Sequence, residues 1–158
     1  MTDTGRPADA TAAPGPGDPV VTDAVLYCDG ASRGNPGAAS IGFVLVDGAG
    51  NEMVAHGETI GRQTNNVAEY TALLRGLETA FARGVRRVSV RMDSELVVRQ
   101  LLGIYRVKNP GLAPLSVAVR QLAARFASFR IEHVPRRDNG RADALANAAL
   151  DAVPSRED

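Results

Sequence analysis

The sequence predicts an α/β domain in which a mixed β-sheet is flanked by helices. Three observations predict it. Three β-prone segments follow one another through short turns near the start of the folded part. After Thr64 the apolar positions change from a period of two to helical spacing. From there, strand-like and helix-like segments alternate to the end of the chain, the pattern of helices packed on a sheet.

Val25 to Ala31 is the first strand, with Val25, Tyr27 and Asp29 on one face and Cys28 on the other. Gly34-Asn35-Pro36-Gly37 makes a turn, Ser40 to Val46 a second strand, Asp47 to Gly50 a hairpin loop, and Asn51 to Ile60 a third strand. Connections this short require antiparallel pairing. After Thr64-Asn65-Asn66, the residues Tyr70, Leu73, Leu74, Leu77, Ala80 and Phe81 recur at helical spacing, and Gly84 supplies the stop. Val88, Val90 and Met92 mark a fourth strand that ends at Asp93. Ser94 is a natural N-cap for a short helix closing near Gly103. A helix from about Ala113 to Ala127 precedes a fifth strand in which Phe129, Ile131 and His133 alternate. A last helix follows Asn139. The order is β-β-β-α-β-α-α-β-α.

Residues 1–23 are rich in Ala, Pro, Gly, Thr and Asp and carry almost no large apolar side chain. Such a segment cannot offset its ordering entropy by burial, so a disordered tail is expected there, with a flexible end over residues 152–158. The folded domain is expected to span residues 24–151. The 158-residue chain is long enough for one real core. One cysteine excludes an internal disulfide and a cysteine zinc site, and no apolar run approaches the ~20 residues of a membrane span. The start does not read as a secretory signal, so a cytoplasmic monomer without a membrane partner is the expectation. The formal net charge is zero, but residues 24–150 carry 16 basic against 11 acidic side chains. That surplus suits a partner bearing phosphates.

Four acids stand where an unpaired charge is costly. Asp29 is in phase with Val25 and Tyr27 on a strand, and strands disfavour Asp. Glu69 falls in the first turn of a helix beside its apolar stripe. Asp93 ends an apolar strand, and Asp143 opens an alanine-rich helix. Each alone has an ordinary explanation as a cap or a partner of the helix dipole. Acids tolerated in such places are capping, paired or bound to a metal, and no single one of the four decides between these readings.

The neighbours of these acids carry a resemblance. Asp29-Gly30-Ala31-Ser32-Arg33-Gly34-Asn35-Pro36-Gly37, Thr64-Asn65-Asn66-Val67-Ala68-Glu69, Met92-Asp93-Ser94 with Leu96-Val97-Val98, and Asn139-Gly140-Arg141-Ala142-Asp143 with Leu145-Ala146 occur in that order. The set resembles the signature blocks of type 1 ribonucleases H over about residues 24–151. The resemblance implies a ribonuclease H-like fold, with a five-stranded mixed sheet of three antiparallel strands and then two parallel ones. It implies hydrolysis of the RNA strand of RNA–DNA hybrids by a two-metal-ion mechanism, leaving 5′-phosphate and 3′-hydroxyl ends. Mg²⁺ is the implied metal and Mn²⁺ the substitute. Asp29 would bridge the ions, Glu69 and Asp93 would hold one, and Asp143 the other. Asn35, Asn65 and Asn66 match positions that meet the hybrid through its minor groove. Backbone amides of the Gly-rich turn that starts at Gly30 would approach the RNA closely. Thr64 matches a DNA-phosphate contact. Asn109 falls near that strand. The same Asn, Thr and Gly residues are also good caps and turn formers.

Two departures narrow the resemblance. Gly103 to Asn109 links two helices directly, where well-known bacterial members carry a basic protrusion. Lys108 is the only lysine, and there is no tryptophan. Arg99 and Arg106 would have to carry part of the grip. The auxiliary histidine that many members place in a loop before the last acid is matched only by His133, which ends a strand instead. Arg136 would then take over phosphate contact or product release. Two alternatives remain: a non-cleaving hybrid-binding module, which would lack one or more of the acids, and a DNA-directed nuclease of the same superfold, which would space them differently.

Overall fold

The computed structural model describes residues 21–153. The expected N-terminal tail lies outside those residues except at its last three positions, and most of the expected flexible end, 154–158, lies outside them too. The chain forms β1 (Asp23–Gly34), β2 (Gly37–Asp47), β3 (Glu52–Gln63), α1 (Asn65–Ala82), β4 (Arg87–Met92), α2 (Glu95–Leu101), α3 (Ala113–Ala123), β5 (Ser128–His133) and α4 (Gly140–Asp151). A short 3-10 turn, Arg136–Asn139, lies just ahead of α4. The sheet order is β3-β2-β1-β4-β5, with β1 antiparallel to β2 and parallel to β4. No helix among the described residues is long and apolar enough to cross a membrane.

The local chemistry explains most boundaries. Thr64 caps α1, its Oγ1 accepting from the Val67 amide at 3.2 Å, and Ser94 caps α2 through the Val97 amide at 3.3 Å. Gly84 and Gly103 follow α1 and α2 with φ of +87° and +80°, a left-handed conformation that glycine adopts without a Cβ penalty. The first strand begins at Asp23, one residue before the expected domain start, because the Thr22 carbonyl accepts from the amides of Arg86 and Arg87. Helix α3 stops at Ala123 rather than Ala127. There the chain turns so that Phe126 enters the core against the edge of Phe81, with ring centroids 5.5 Å apart. Ala127 then donates to the Arg86 carbonyl and starts β5.

The two faces of the sheet are covered differently. Ala24, Leu26 and Cys28 of β1, with Val88, Val90 and Met92 of β4, are buried against Tyr70, Leu73 and Leu77 of α1. Helix α4 crosses the opposite face over β2 and β3 at very short range. A Cβ on Gly42 would stand 2.2 Å from the Ala142 carbonyl oxygen, and one on Gly57 would stand 2.4 Å from that of Leu145. Ser40 secures the same contact, its hydroxyl donating to the Ala146 carbonyl at 2.6 Å. Gly42→Ala is therefore expected to lift α4 and cost about 1–3 kcal/mol, as overpacking does. Gly48→Ala, in the open hairpin loop with nothing within 4 Å, is the control. Equal melting temperatures for the two variants would refute this account of the α4 contact.

Candidate active site

The sheet topology brings acids that are far apart in sequence to one end of adjacent strands. Cys28 and Met92 form the last parallel pair of β1 and β4, so Asp29 and Asp93 each follow directly. The carboxyl ends of parallel strands are where open α/β sheets form their ligand crevices. Asp29 lies opposite Gly42 in the β1–β2 ladder and is only 5% exposed. Glu69 comes from α1, whose backbone passes so near Gly30 that a Cβ there would meet the Glu69 nitrogen at 2.3 Å. The Gly30 amide donates to Glu69 Oε1 at 2.8 Å. Asp143 arrives in the first turn of α4, where Asn147 Nδ2 donates to its Oδ1 at 3.2 Å.

The consequence is a cluster of like charges with little water. Burial, reinforced by the Glu69 charge and by contact with Asp143, pushes the Asp29 carboxyl up to about 9. Burial also raises Glu69, to about 8, against the opposing pull of the Gly30 amide. The charges of Asp93 and Asp143 add to the rise, and Arg136 opposes it. The Cys28 thiol beneath them is raised well above its ordinary value, chiefly by burial and then by Glu69 and Asp29. It is a core residue with little thiolate character. Arg136 brings a cation to the mouth, its Nη2 3.6 Å from Asp143 Oδ1 and its side chain 78% exposed.

The remaining predicted residues divide into those near the cluster and those away from it. Asn35 Oδ1 accepts from the Asn65 amide at 3.1 Å, tying the Gly34–Gly37 turn to the start of α1 beside Thr64. Asn65 is exposed and Asn66 half-buried on that rim. His133 ends β5 opposite Met92, as its alternation with Phe129 and Ile131 predicted, but it is exposed although Ile131 is buried. Asn109 serves its own loop. Its Oδ1 accepts from the Gly111 amide at 2.7 Å and its carbonyl from Leu112 and Ala113, before α3. These bonds are local, and none of them links Asn109 to the acids. One residue of the fourth signature block has no role assigned to it from the sequence beyond marking the start of a helix. Asn139 is 1% exposed, and its Nδ2 donates to Asp93 Oδ1 at 2.7 Å. Asn before a helix is so ordinary a cap that its residue type does not announce this contact.

The donor set is all carboxylate oxygen, which suits a hard divalent cation. Among the described residues no three His, Cys, Asp or Glu side chains converge closely enough to enclose an ion unaided. An open arrangement of this kind fits Mg²⁺, which keeps several waters and takes one or two carboxylates together with substrate phosphates. A cation there would also offset the burial and the repulsion that raise Asp29 and Glu69. The folded values of about 9 and 8 exceed the ordinary 3.8 and 4.5, so the folded protein holds more protons. The stability this contributes is complete below about pH 4 and is lost as pH rises through 8 and 9. In chelator, Asp29→Asn should therefore melt near the parent at pH 4 and above it at pH 8, by at least about 1 kcal/mol in stability. A variant that is less stable than the parent at pH 8 would contradict the repulsion.

A family model described as reverse transcriptase-like matches residues 27–149. The chain is 51% identical over 125 residues to ribonuclease HI of Halobacterium salinarum, covering 79% of this chain and 63% of that protein. It is 46% identical to a bifunctional protein of Mycobacterium tuberculosis, with 82% of this chain and 36% of that protein covered. The crystal structure of the Halobacterium salinarum RNase H1 superposes with a TM-score of 0.81 at 49% identity, covering 83% of this chain and 99% of that one. LC11-RNase H1, solved in complex with an RNA/DNA hybrid, superposes with a TM-score of 0.76 at 43% identity, covering 81% and 96%. With a five-stranded mixed sheet, the four signature blocks and matches that span nearly the whole described domain, this chain belongs to the type 1 ribonuclease H family.

Proposed function

We propose that this chain is a metal-dependent endoribonuclease that hydrolyses the RNA strand of RNA–DNA hybrids and leaves 5′-phosphate and 3′-hydroxyl ends. The observation that carries the reading is the convergence of Asp29, Glu69, Asp93 and Asp143 from four separate parts of the chain, with Asp29 and Glu69 held far above their ordinary values by burial and mutual repulsion. Such a cluster costs stability, and cations held there would offset that cost.

The residues divide the work. Asp29, buried at the centre of the group, would serve both of two Mg²⁺ ions, or Mn²⁺ in substitution. Glu69 and Asp93 would hold one ion and Asp143 the other. When bound, the ions supply an activated water and stabilise the leaving 3′ oxygen. The Gly30 amide fixes one oxygen of Glu69 and leaves the other free. Arg136, exposed at the mouth, has the reach and charge to meet a phosphate and draw the product away. The rim built from Gly30, Asn35, Asn65 and Asn66 would read the minor groove, where the 2′-hydroxyls distinguish RNA from DNA. Thr64 and Asn109 would meet the DNA strand. The Thr64 cap and the Asn109 loop use the Thr64 hydroxyl and the Asn109 Oδ1 as acceptors, so the Thr64 hydroxyl proton and the Asn109 amide remain available as donors. The protein would act as a cytoplasmic monomer.

The direct test supplies a labelled RNA–DNA hybrid, duplex DNA, duplex RNA and single strands, with Mg²⁺ and with chelator. Cleavage confined to the hybrid's RNA strand and abolished by chelator is expected. Binding without cleavage would mark a non-cleaving module, and cut DNA a DNA-directed nuclease. Asp93→Asn should reduce turnover to background with the fold intact; near-normal turnover would sink the assignment of the acids. His133→Ala should keep turnover within about two-fold of the parent. A loss of about 100-fold or more, the range of general acid–base catalysis, would give that ring a catalytic role instead.

A further inference from the structure

We propose that Asn139 is the positioning residue of the metal site, the side chain that orients Asp93 and locks together the three segments bearing Asp29, Asp93 and Asp143. The inference rests on the metal-dependent reading above and gives a role to a residue outside it. Asn139 stands at the N-cap position of α4, where an asparagine normally accepts a hydrogen bond from the first turn of its helix. Here it makes no such bond. Its side chain turns inward, and Nδ2 donates both to Asp93 Oδ1 at 2.7 Å and to the Cys28 carbonyl at 2.8 Å. The residue is 1% exposed, and its Oδ1 is buried with no partner among the described residues.

Leaving a cap unmade and an amide oxygen unsatisfied runs against two local rules at once. A buried unpaired acceptor costs about 1–3 kcal/mol. Departures of this sort gather where a site demands them. The geometry points to what is demanded. Cys28 immediately precedes Asp29 on β1, Asp93 follows β4, and Asn139 leads into the helix that carries Asp143. One amide group therefore spans all three. By engaging one oxygen of Asp93, it sets the rotation of that carboxylate and leaves the other oxygen for a cation. It also cancels part of the repulsion that would swing Asp93 away from Asp29.

The test measures Mg²⁺ binding by calorimetry on the full chain well below its melting temperature, for the parent, Asn139→Ala and Asn139→Ser. Removing a side chain that orients a ligand typically weakens metal binding about 10–100-fold, and Asn139→Ala should fall in that range. Asn139→Ser, which keeps one donor on a shorter stem, should lose less and serves where the alanine variant does not fold. Turnover should need correspondingly more Mg²⁺, while the KM for the hybrid at saturating Mg²⁺ stays near that of the parent. A purely structural asparagine would lower the melting temperature and leave the Mg²⁺ affinity of the folded variants unchanged; that result overturns the inference and spares the metal site. A parent that binds no Mg²⁺ would overturn both.

Discussion

Mutual repulsion among half-buried carboxylates is the constraint around which this structure is organised. Asp29, Glu69, Asp93 and Asp143 would separate if their supports allowed it, and Asp29 is raised to about 9 by burial first and then by its acidic neighbours. Each is held from a different direction. Asp29 is fixed by the central strand, which pairs on both sides. Glu69 is fixed by the Gly30 amide, Asp93 by Asn139, and Asp143 by Asn147 and Arg136.

The scaffold achieves this by close approach of backbones. Gly30 lets α1 come down on β1, and Gly42 and Gly57 let α4 come down on the opposite face. The two helices that deliver Glu69 and Asp143 are therefore clamped on opposite sides of the sheet that bears Asp29 and the neighbour of Asp93. Small residues at these crossings make the site precise, because a methyl group at any of them would displace a helix backbone rather than a flexible side chain.

The link between α2 and α3 is the other distinctive region. Leu102, Ile104 and Tyr105 are exposed there, and the Arg99 guanidinium lies 5.6 Å from the centre of the Tyr105 ring. Arg99 also pairs with Glu95 one turn back on α2. The link's own basic residues are Arg106 and the chain's single lysine, Lys108, and Arg99 adjoins them with a guanidinium that can both stack and hydrogen-bond.

Periodicity, caps and turn residues are local properties, and they determined the order and type of every strand and α-helix. The Thr64 and Ser94 caps, the glycine stops and the alternation of β5 up to His133 could all be read without tertiary information. The four acids were equally legible, through the signature blocks around them. What the chain order could not contain was the α3 terminus, set by Phe126 entering the core, and the early start of β1, set by Thr22 meeting Arg86 and Arg87. Nor could it contain the part played by Asn139. Its residue type and position announce a helix cap, and only the packing of β1, β4 and α4 around it turns the amide inward. A hydrogen bond between residues 46 apart depends on where the sheet places them, and no local pattern encodes that.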